Sequence, residues 1–203
     1  MNMRIRSLVP ALALVAALAA PAAAGPLEEG LDAYRAKEYT KAAELWRPLA
    51  ENGDAVAQYR LGTLYEEGKG VERNDATAFT WMRRAAIQGN ADAQYGVGAS
   101  YVEGLGVEKD EVEAAKWFQR AANQGMVYAQ INLGLLYASG TGVPQDNVEA
   151  LKWLELAMVA LPAGGAASDA SRAMNDVAAK MNFDQKIEAQ KRSRAWKAKP
   201  ETN

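Results

Sequence analysis

The sequence predicts an all-α solenoid in which helical hairpins follow one another in a right-handed superhelix. Three observations carry this prediction. A residue pattern recurs every 36 positions without a gap, and within each copy the apolar side chains lie three and four residues apart. Hydrophobic residues make up 49% of the chain, but aromatics only 8%, so small residues must supply the packing surface. A length of 203 residues suits one short array of hairpins.

Residues 1–24 have the pattern of a secretory signal peptide. Two arginines precede an apolar run from Leu8 to Ala20, and a run of alanines that ends at Ala24 offers an Ala-x-Ala cleavage site. The apolar run is shorter than the roughly 20 residues that span a bilayer. We therefore expect cleavage after Ala24 and a periplasmic or secreted mature protein without stable membrane insertion. An uncleaved N-terminal anchor is the alternative.

Residues 25–53 predict a short hairpin that precedes the repeats. Ala33 falls in its first helix and Leu45 in its second, and Gly53 keeps the 36-residue register with Gly89. Because the open end of a solenoid must be covered by a terminal unit, we expect this hairpin to act as an N-terminal cap.

Three consecutive copies of one unit follow, in residues 54–89, 90–125 and 126–161. In the first copy Leu61 follows Ala57 by four residues and Ala85 follows Trp81 by four, which predicts a helix in each half. The residues that recur in register are Ala57, Ala93 and Ala129; Gly62, Gly98 and Gly134; Tyr65, Tyr101 and Tyr137; Trp81, Trp117 and Trp153; and Ala85, Ala121 and Ala157.

Glycines and cap residues mark the ends of these helices. The first glycine of each Gly-x-Gly-Val loop can adopt the positive φ that closes a first helix, and an Asn or Asp six residues later can cap the second. The loop glycines are Gly68, Gly104 and Gly140, and the cap residues are Asn74, Asp110 and Asp146. Asp110 with Glu113, and Asp146 with Glu149, have the spacing of a capping box.

A glycine inside each first helix costs about 1 kcal/mol relative to Ala, so it needs a compensating contact. These glycines are Gly62, Gly98 and Gly134. We expect the paired helix to approach closely there, with Ala85, Ala121 or Ala157 against the glycine. The repeated tryptophans are expected to pack in the core between hairpins.

The combined pattern is Ala-Gln-x-x-Leu-Gly-x-x-Tyr, Gly-x-Gly-Val, Ala-x-x-Trp and Ala-x-x-x-Gly. It resembles the Sel-one-like repeat, a relative of the tetratricopeptide repeat with a longer loop inside the hairpin. The resemblance covers Asp54 to about Ala160, with Val97 in place of leucine in copy two and Leu161 in place of the last glycine in copy three. It implies a solenoid that binds other proteins, with a tetratricopeptide-like hairpin at its N-terminus.

Residues 162–203 predict capping helices and a basic tail. Ser168 is placed to cap one helix, and Asn182 with Gln185 has the capping-box spacing for a last one. The apolar stripe expected to cover the last hairpin is Met174, Val177, Ala178 and Met181. From residue 168 onward the chain has 8 basic and 5 acidic side chains. The tail is either a solvated helix end or a weak contact for the cell wall or another anionic surface.

The composition removes most catalytic chemistry. The chain has no His and no Cys, so it lacks His-dependent triads, thiol nucleophiles and the commonest metal ligands. Members of the family it resembles have been credited with β-lactam chemistry, but neither Ser-x-x-Lys nor Lys-Thr-Gly occurs here. We expect no catalytic residue, no metal and no cofactor. A net charge of −2 gives no reason to expect nucleic-acid binding.

Positions that vary among the copies of the first helix are free to contact a partner. They recur at offsets of three and four, so they share one helical face. The predicted partner-binding residues are Tyr59, Arg60, Thr63 and Glu67; Tyr95, Ala99 and Glu103; and Tyr128, Ile131, Asn132 and Leu135. In tetratricopeptide-like solenoids the first helices line the concave surface, so the resemblance implies that these residues form a groove. The alternative is that the partner docks on another face.

These observations favour a non-enzymatic scaffold, adaptor or regulator in the bacterial cell envelope, which binds a segment of a partner protein on the concave face. Two hypotheses from other classes stay open. One is an envelope hydrolase that acts on peptidoglycan or β-lactams. The other is a structural tether that holds the envelope through the basic C-terminal helix.

Overall fold

A computed structural model describes residues 25–161 and 164–201, which form ten helices and no strand. The helices are α1 (Pro26–Arg35), α2 (Tyr39–Glu51), α3 (Ala55–Glu67), α4 (Asp75–Ile87), α5 (Ala91–Glu103), α6 (Glu111–Asn123), α7 (Val127–Ser139), α8 (Asn147–Ala160), α9 (Gly165–Ala179) and α10 (Phe183–Ala195). Within these ranges no helix has the length and apolar character to cross a membrane. The predicted signal peptide lies outside the described residues.

Each helix from α1 to α8 packs against the next one along the chain, and α8 also contacts α9 and α10. The hydrophobic core is therefore a row of clusters, each shared between neighbouring hairpins. This arrangement confirms the predicted all-α solenoid of helical hairpins.

The predicted helix ends are confirmed at each second helix. The side chain of Asn74 accepts a hydrogen bond from Thr77 N at 2.8 Å, and Asp110 and Asp146 cap α6 and α8 in the same way. The capping boxes predicted at Asp110 and Asp146 form only one of their two hydrogen bonds, the one accepted by the cap side chain. Their partner glutamates, Glu113 and Glu149, form ion pairs with lysines one turn further along the helix and do not reach back to the cap residue.

The close approach at the glycines inside the first helices is confirmed, but the predicted neighbours are wrong. A Cβ atom at Gly98 would lie 2.7 Å from the ring of Phe118, and one at Gly134 would lie 2.8 Å from Leu154 Cγ. Ala85, Ala121 and Ala157 are fully buried elsewhere. Ala85, for example, shares a cluster with Met82 and Val97, but it lies one turn further along α4 than Met82, the side chain that reaches Gly62.

A second glycine in each loop joins one hairpin to the preceding one. Gly70, Gly106 and Gly142 have φ of 69°, 70° and 69°. A Cβ atom on Gly106 would overlap the backbone carbonyl of Asp75, the first residue of α4, and Gly142 makes the equivalent contact with Glu111 at the start of α6. The loop backbone therefore rests directly on the preceding hairpin.

The repeated tryptophans lie in the core with one exception. Trp117 and Trp153 are buried, as predicted, whereas Trp81 is only partly buried. The guanidinium groups of Arg84 and Arg120 lie 4.6 Å from the ring centroids of Trp81 and Trp117, respectively. This repeated stacking of Arg on Trp fixes the direction of the two arginines.

At the C-terminus the prediction that Ser168 caps a helix is wrong, since α9 begins at Gly165 and Ser168 lies within its first turn. The apolar stripe is confirmed, because Val177 and Met181 are buried against α8. Asn182 and Gln185 form the predicted reciprocal capping box at the start of α10.

Candidate functional site

The eleven predicted partner-binding residues all lie on α3, α5 and α7, and none of them is buried. We call this set the first-helix face. Tyr59, Tyr95 and Ile131 occupy the same position in successive copies, and each is partly buried against a core cluster that its hairpin shares with the following helices. These three side chains therefore contribute to the core as well as lining the face. The sequence pattern does not reveal their contribution to the core, because the residue at this position varies between copies.

The exposed anchors of the face are on α7. Tyr128 is 52% exposed and Leu135, two turns further along, is 43% exposed. The Tyr128 ring lies 6.3 Å from the ring of Tyr95, which in turn lies 5.7 Å from the buried Phe118 ring. An exposed ring that rests on a packed one loses little conformational freedom on binding, which makes it a good contact anchor.

The polar residues of the face differ in how many hydrogen-bonding groups remain available to a partner. The Thr63 hydroxyl lies 2.9 Å from the Tyr59 carbonyl oxygen, so its proton is used within the helix. The guanidinium of Arg60 lies 5.8 Å from the Tyr59 ring centroid. Burial raises the pKa of the Tyr59 hydroxyl, and the charge of Asp92 raises it further. That hydroxyl therefore stays neutral and available for hydrogen bonding.

One end of the face is negatively charged. Glu67 and Glu103 are the last residues of α3 and α5, and both are exposed. Partial burial raises the pKa of neighbouring Glu66, and the charges of Glu67, Asp75 and Glu103 raise it further. Lys69 pairs with Glu67 at 2.9 Å and offsets part of this charge. The carboxylates together favour a positively charged group at this end.

A second feature was not predicted: the C-terminal segment folds back onto the array. After α10, the Trp196 ring packs 6.2 Å from the ring of Trp153. The Lys199 backbone N–H donates to the Asn123 carbonyl oxygen at 2.8 Å. Two residues further along, the Glu201 carboxylate binds to side chains of the array. We call residues 196–201 the tail.

Glu201 forms a bidentate ion pair with Arg120, with nitrogen to oxygen distances of 2.9 Å and 2.7 Å. The amide nitrogen of Gln94, a fully buried side chain, donates to the same carboxylate at 2.9 Å. The hydrogen bond from Arg120 lowers the pKa of Glu201, so the carboxyl group is ionised at neutral pH. The signal that could have located this site is the glutamine after the repeated alanine, which is buried in all three copies.

The basic residues of α10 and the tail confirm only part of the prediction of a basic, solvated C-terminal end. Arg192 on α10 is held by Glu149 and Glu188, each at 2.8 Å. Lys197 and Lys199 are exposed. The tail is thus partly docked on the array and partly solvated, and its contact with an anionic surface stays a prediction.

In copy three the counterpart of the carboxylate site is apolar. A cavity of about 730 Å³ lies between α8, α9, α10 and the tail. Leu156 stands there where copy two has Arg120, beside the buried Gln130. The tail residues that reach this part of the array are the apolar Trp196 and Ala198.

Within the described ranges no three acidic side chains come close enough to hold a metal ion. The geometry consists of packed hairpins, a partly exposed aromatic face and a carboxylate clasp between Arg and Gln. These features define a repeat protein of tetratricopeptide-like helical hairpins.

The chain belongs to the Sel1 repeat family, because the family's model matches residues 23–54, 55–90, 91–126 and 127–157. The match includes the N-terminal hairpin as well as the three copies recognised from the sequence. Sel1 repeats generally mediate protein–protein interactions, and their fold is typically a non-catalytic scaffold. No functionally curated protein matches the chain.

Two solved structures are similar to this chain. One is a Sel1 repeat protein from Oxalobacter formigenes, 32% identical, with a TM-score of 0.66 over 78% of this chain and 62% of that one. The other is c5321, a protective antigen present in uropathogenic Escherichia coli strains that displays an SLR fold. It is 28% identical, with a TM-score of 0.55 over 83% of this chain and 44% of that one. The chain thus spans less than two thirds of either protein.

Proposed function

We propose that the mature chain is a non-enzymatic adaptor or regulator of the bacterial cell envelope, which binds a segment of a partner protein on the first-helix face. The observation that carries the proposal is the exposure of Tyr128 and Leu135 on α7, with the Tyr128 ring resting on the packed ring of Tyr95. Amphipathic aromatic groups on a rigid support are the usual anchors of protein contacts. The envelope location rests on the signal-peptide pattern of residues 1–24.

The same face suggests the chemistry of the partner segment. Tyr128 and Leu135 favour an apolar or aromatic side chain, while Glu67 and Glu103 at the ends of their helices favour a basic one. A segment that carries both fits the face. Because only three helices contribute to it, we expect a contact of modest area and affinity.

Affinity capture from an envelope extract tests the proposal. Changing Tyr128 and Leu135 together to Ala should weaken binding by about thirtyfold, the effect of losing one anchor worth about 2 kcal/mol, and should reduce recovery of the captured partner accordingly. The unfolding free energy should change little because both side chains are substantially exposed.

The matched control is Phe183→Ala, because Phe183 is 76% exposed on α10 and lies outside the first-helix face. It removes more exposed apolar surface than either face substitution without touching the proposed site, so recovery should match that of the unmodified chain. Equal recovery with the face variant and the control would exclude this face as the binding site.

A further inference from the structure

The carboxylate site at Glu201 is built entirely from residues that belong to the repeat. Arg120, Gln94 and Gly89 stand 36 positions after Arg84, Gln58 and Gly53. The unit that holds Glu201 therefore has a counterpart one hairpin closer to the N-terminus. The other two counterparts of Arg120 are Pro48 and Leu156, neither of which can bind a carboxylate.

The two sites have the same internal geometry. Arg84 lies over the Trp81 ring at 4.6 Å, which is the distance between Arg120 and the ring of Trp117. The Gln58 amide nitrogen donates to the Ala50 carbonyl oxygen at 3.0 Å, and Gln94 donates to its counterpart, Ala86, at 3.1 Å. Contacts within the repeat therefore hold both arginines, and likewise both glutamines, in equivalent directions.

The two glutamines are also fixed from the other side by equivalent amides. Gln88 donates to the side-chain oxygen of Gln58 at 2.7 Å, and Gln124 donates to that of Gln94 at 2.8 Å. Each buried glutamine thus has its oxygen and one amide hydrogen engaged. In copy two the second amide hydrogen goes to Glu201, at 2.9 Å.

Among the described residues, only one of the two sites is filled. A Cβ atom at Gly89 would lie 3.2 Å from the Cβ atom of Glu201, whereas one at Gly53 would meet no atom of the described residues within 4 Å. Arg84 is exposed and makes no ion pair with the described residues, whereas Arg120 pairs with Glu201. Within the described part of the chain, the site around Arg84 therefore has the groups that bind a carboxylate and is open above its turn glycine.

We propose that Arg84 and Gln58 bind the side-chain carboxylate of an extended segment of another protein, which lies over Gly53 as the tail lies over Gly89. The site uses none of the eleven residues of the first-helix face, so it extends the function proposed above and stands or falls independently of it. Like Glu201, the carboxylate is held by a bidentate guanidinium and one amide N–H.

The contacts of the tail also indicate which backbone group the ligand must provide. The Lys199 N–H, two residues before Glu201, donates to the carbonyl oxygen of Asn123 at the end of α6. The counterpart of Asn123 is Ile87, the last residue of α4, whose carbonyl lies among those left without a partner inside the helix. A ligand with an N–H group two residues before its acidic side chain matches both contacts.

A capped tripeptide, acetyl-Lys-Pro-Glu-amide, reproduces residues 199–201 and serves as the probe. Titrated into the full isotope-labelled protein, it should shift the NMR signals of the Gly53 amide and the Trp81 indole N–H in a saturable way. Arg84→Gln should weaken this binding about tenfold or more, because a hydrogen-bonded charge is lost. Replacing Glu by Gln in the probe should have the same effect.

Arg83→Gln is the matched control, because it removes the same charge from an exposed neighbour on α4. Its counterpart in copy two is Gln119, which bonds to Asn123 and not to Glu201. The control should retain the affinity of the unmodified protein. An equal loss in both variants would mean non-specific charge attraction, and an absence of saturable shifts at Gly53 and Trp81, or shifts confined to the surroundings of Arg120, would refute the site.

Discussion

Replacing Gly106 with Asn is expected to destabilise the protein by about 3 kcal/mol, whereas Asn at Gly104 should cost about 1 kcal/mol or less. Both glycines have positive φ, 70° at Gly106 and 76° at Gly104, so the conformational cost is similar and is small for Asn. They differ in their surroundings. A Cβ atom at Gly106 would lie 2.7 Å from Ala76 N and would overlap the Asp75 carbonyl, whereas one at Gly104 would meet only the flexible Lys109 side chain.

Chemical denaturation, monitored by circular dichroism at 222 nm, measures the free energy of unfolding of both variants. The Gly106 variant must move the start of α4 in the preceding hairpin, because backbone atoms cannot yield as a side-chain end can. Similar losses for the two variants would show that the second loop glycine is needed only for its φ, and that the loop does not join the hairpins by direct backbone contact.

Gly98→Ala is expected to destabilise the protein by about 1–3 kcal/mol although Ala is the better helix former. The new Cβ atom would lie 2.7 Å from two ring atoms of Phe118, which is buried between α5, α6 and α7. Gly96→Ala in the same helix is the matched control. Its Cβ atom would lie 3.0 Å from the Met82 sulfur, an adaptable group, so it should gain up to about 1 kcal/mol of helix propensity.

A double-mutant cycle assigns the cost to the contact. Phe118→Leu removes ring atoms and should recover part of the loss when it is combined with Gly98→Ala, so the two substitutions should cost less together than the sum of their separate effects. If the two losses are additive, the ring does not cause the intolerance at Gly98. Stabilisation by Gly98→Ala would contradict the close approach of α5 and α6.

The sequence was sufficient for the features that depend on local chemistry and repetition. The period predicted the hairpins, and Asn74, Asp110 and Asp146 predicted the helix starts, because an N-cap needs only residues within one turn. The sequence was not sufficient to identify which residue packs on a given glycine. Phe118 and Ala121 lie one turn apart on α6 in the same buried cluster, and only the packing of α5 on α6 decides that the Phe118 ring covers Gly98. The position of Phe118 holds Met82 and Leu154 in the other copies, so it lacks the repetition that marks Ala121.

The site was predictable to a similar extent. All eleven residues of the predicted face are at least partly exposed, but the sequence could not show that Tyr95 also supports Tyr128. Arg120 and Glu201 are 81 residues apart, and no periodicity relates the tail to the array. Only the fold brings those two residues together. The contact surface itself, the envelope location and the hydrolase and tether hypotheses stay predictions.

Site-specific photo-crosslinking in cells that make the protein tests most directly whether the first-helix face binds a partner. A benzophenone side chain placed at Tyr128 should yield a discrete adduct with another protein after irradiation. The same group at Val112 should not, although Val112 on α6 is 51% exposed and Tyr128 is 52% exposed. An adduct from position 112 but none from position 128 would contradict the account, because a partner would then dock on the second helices.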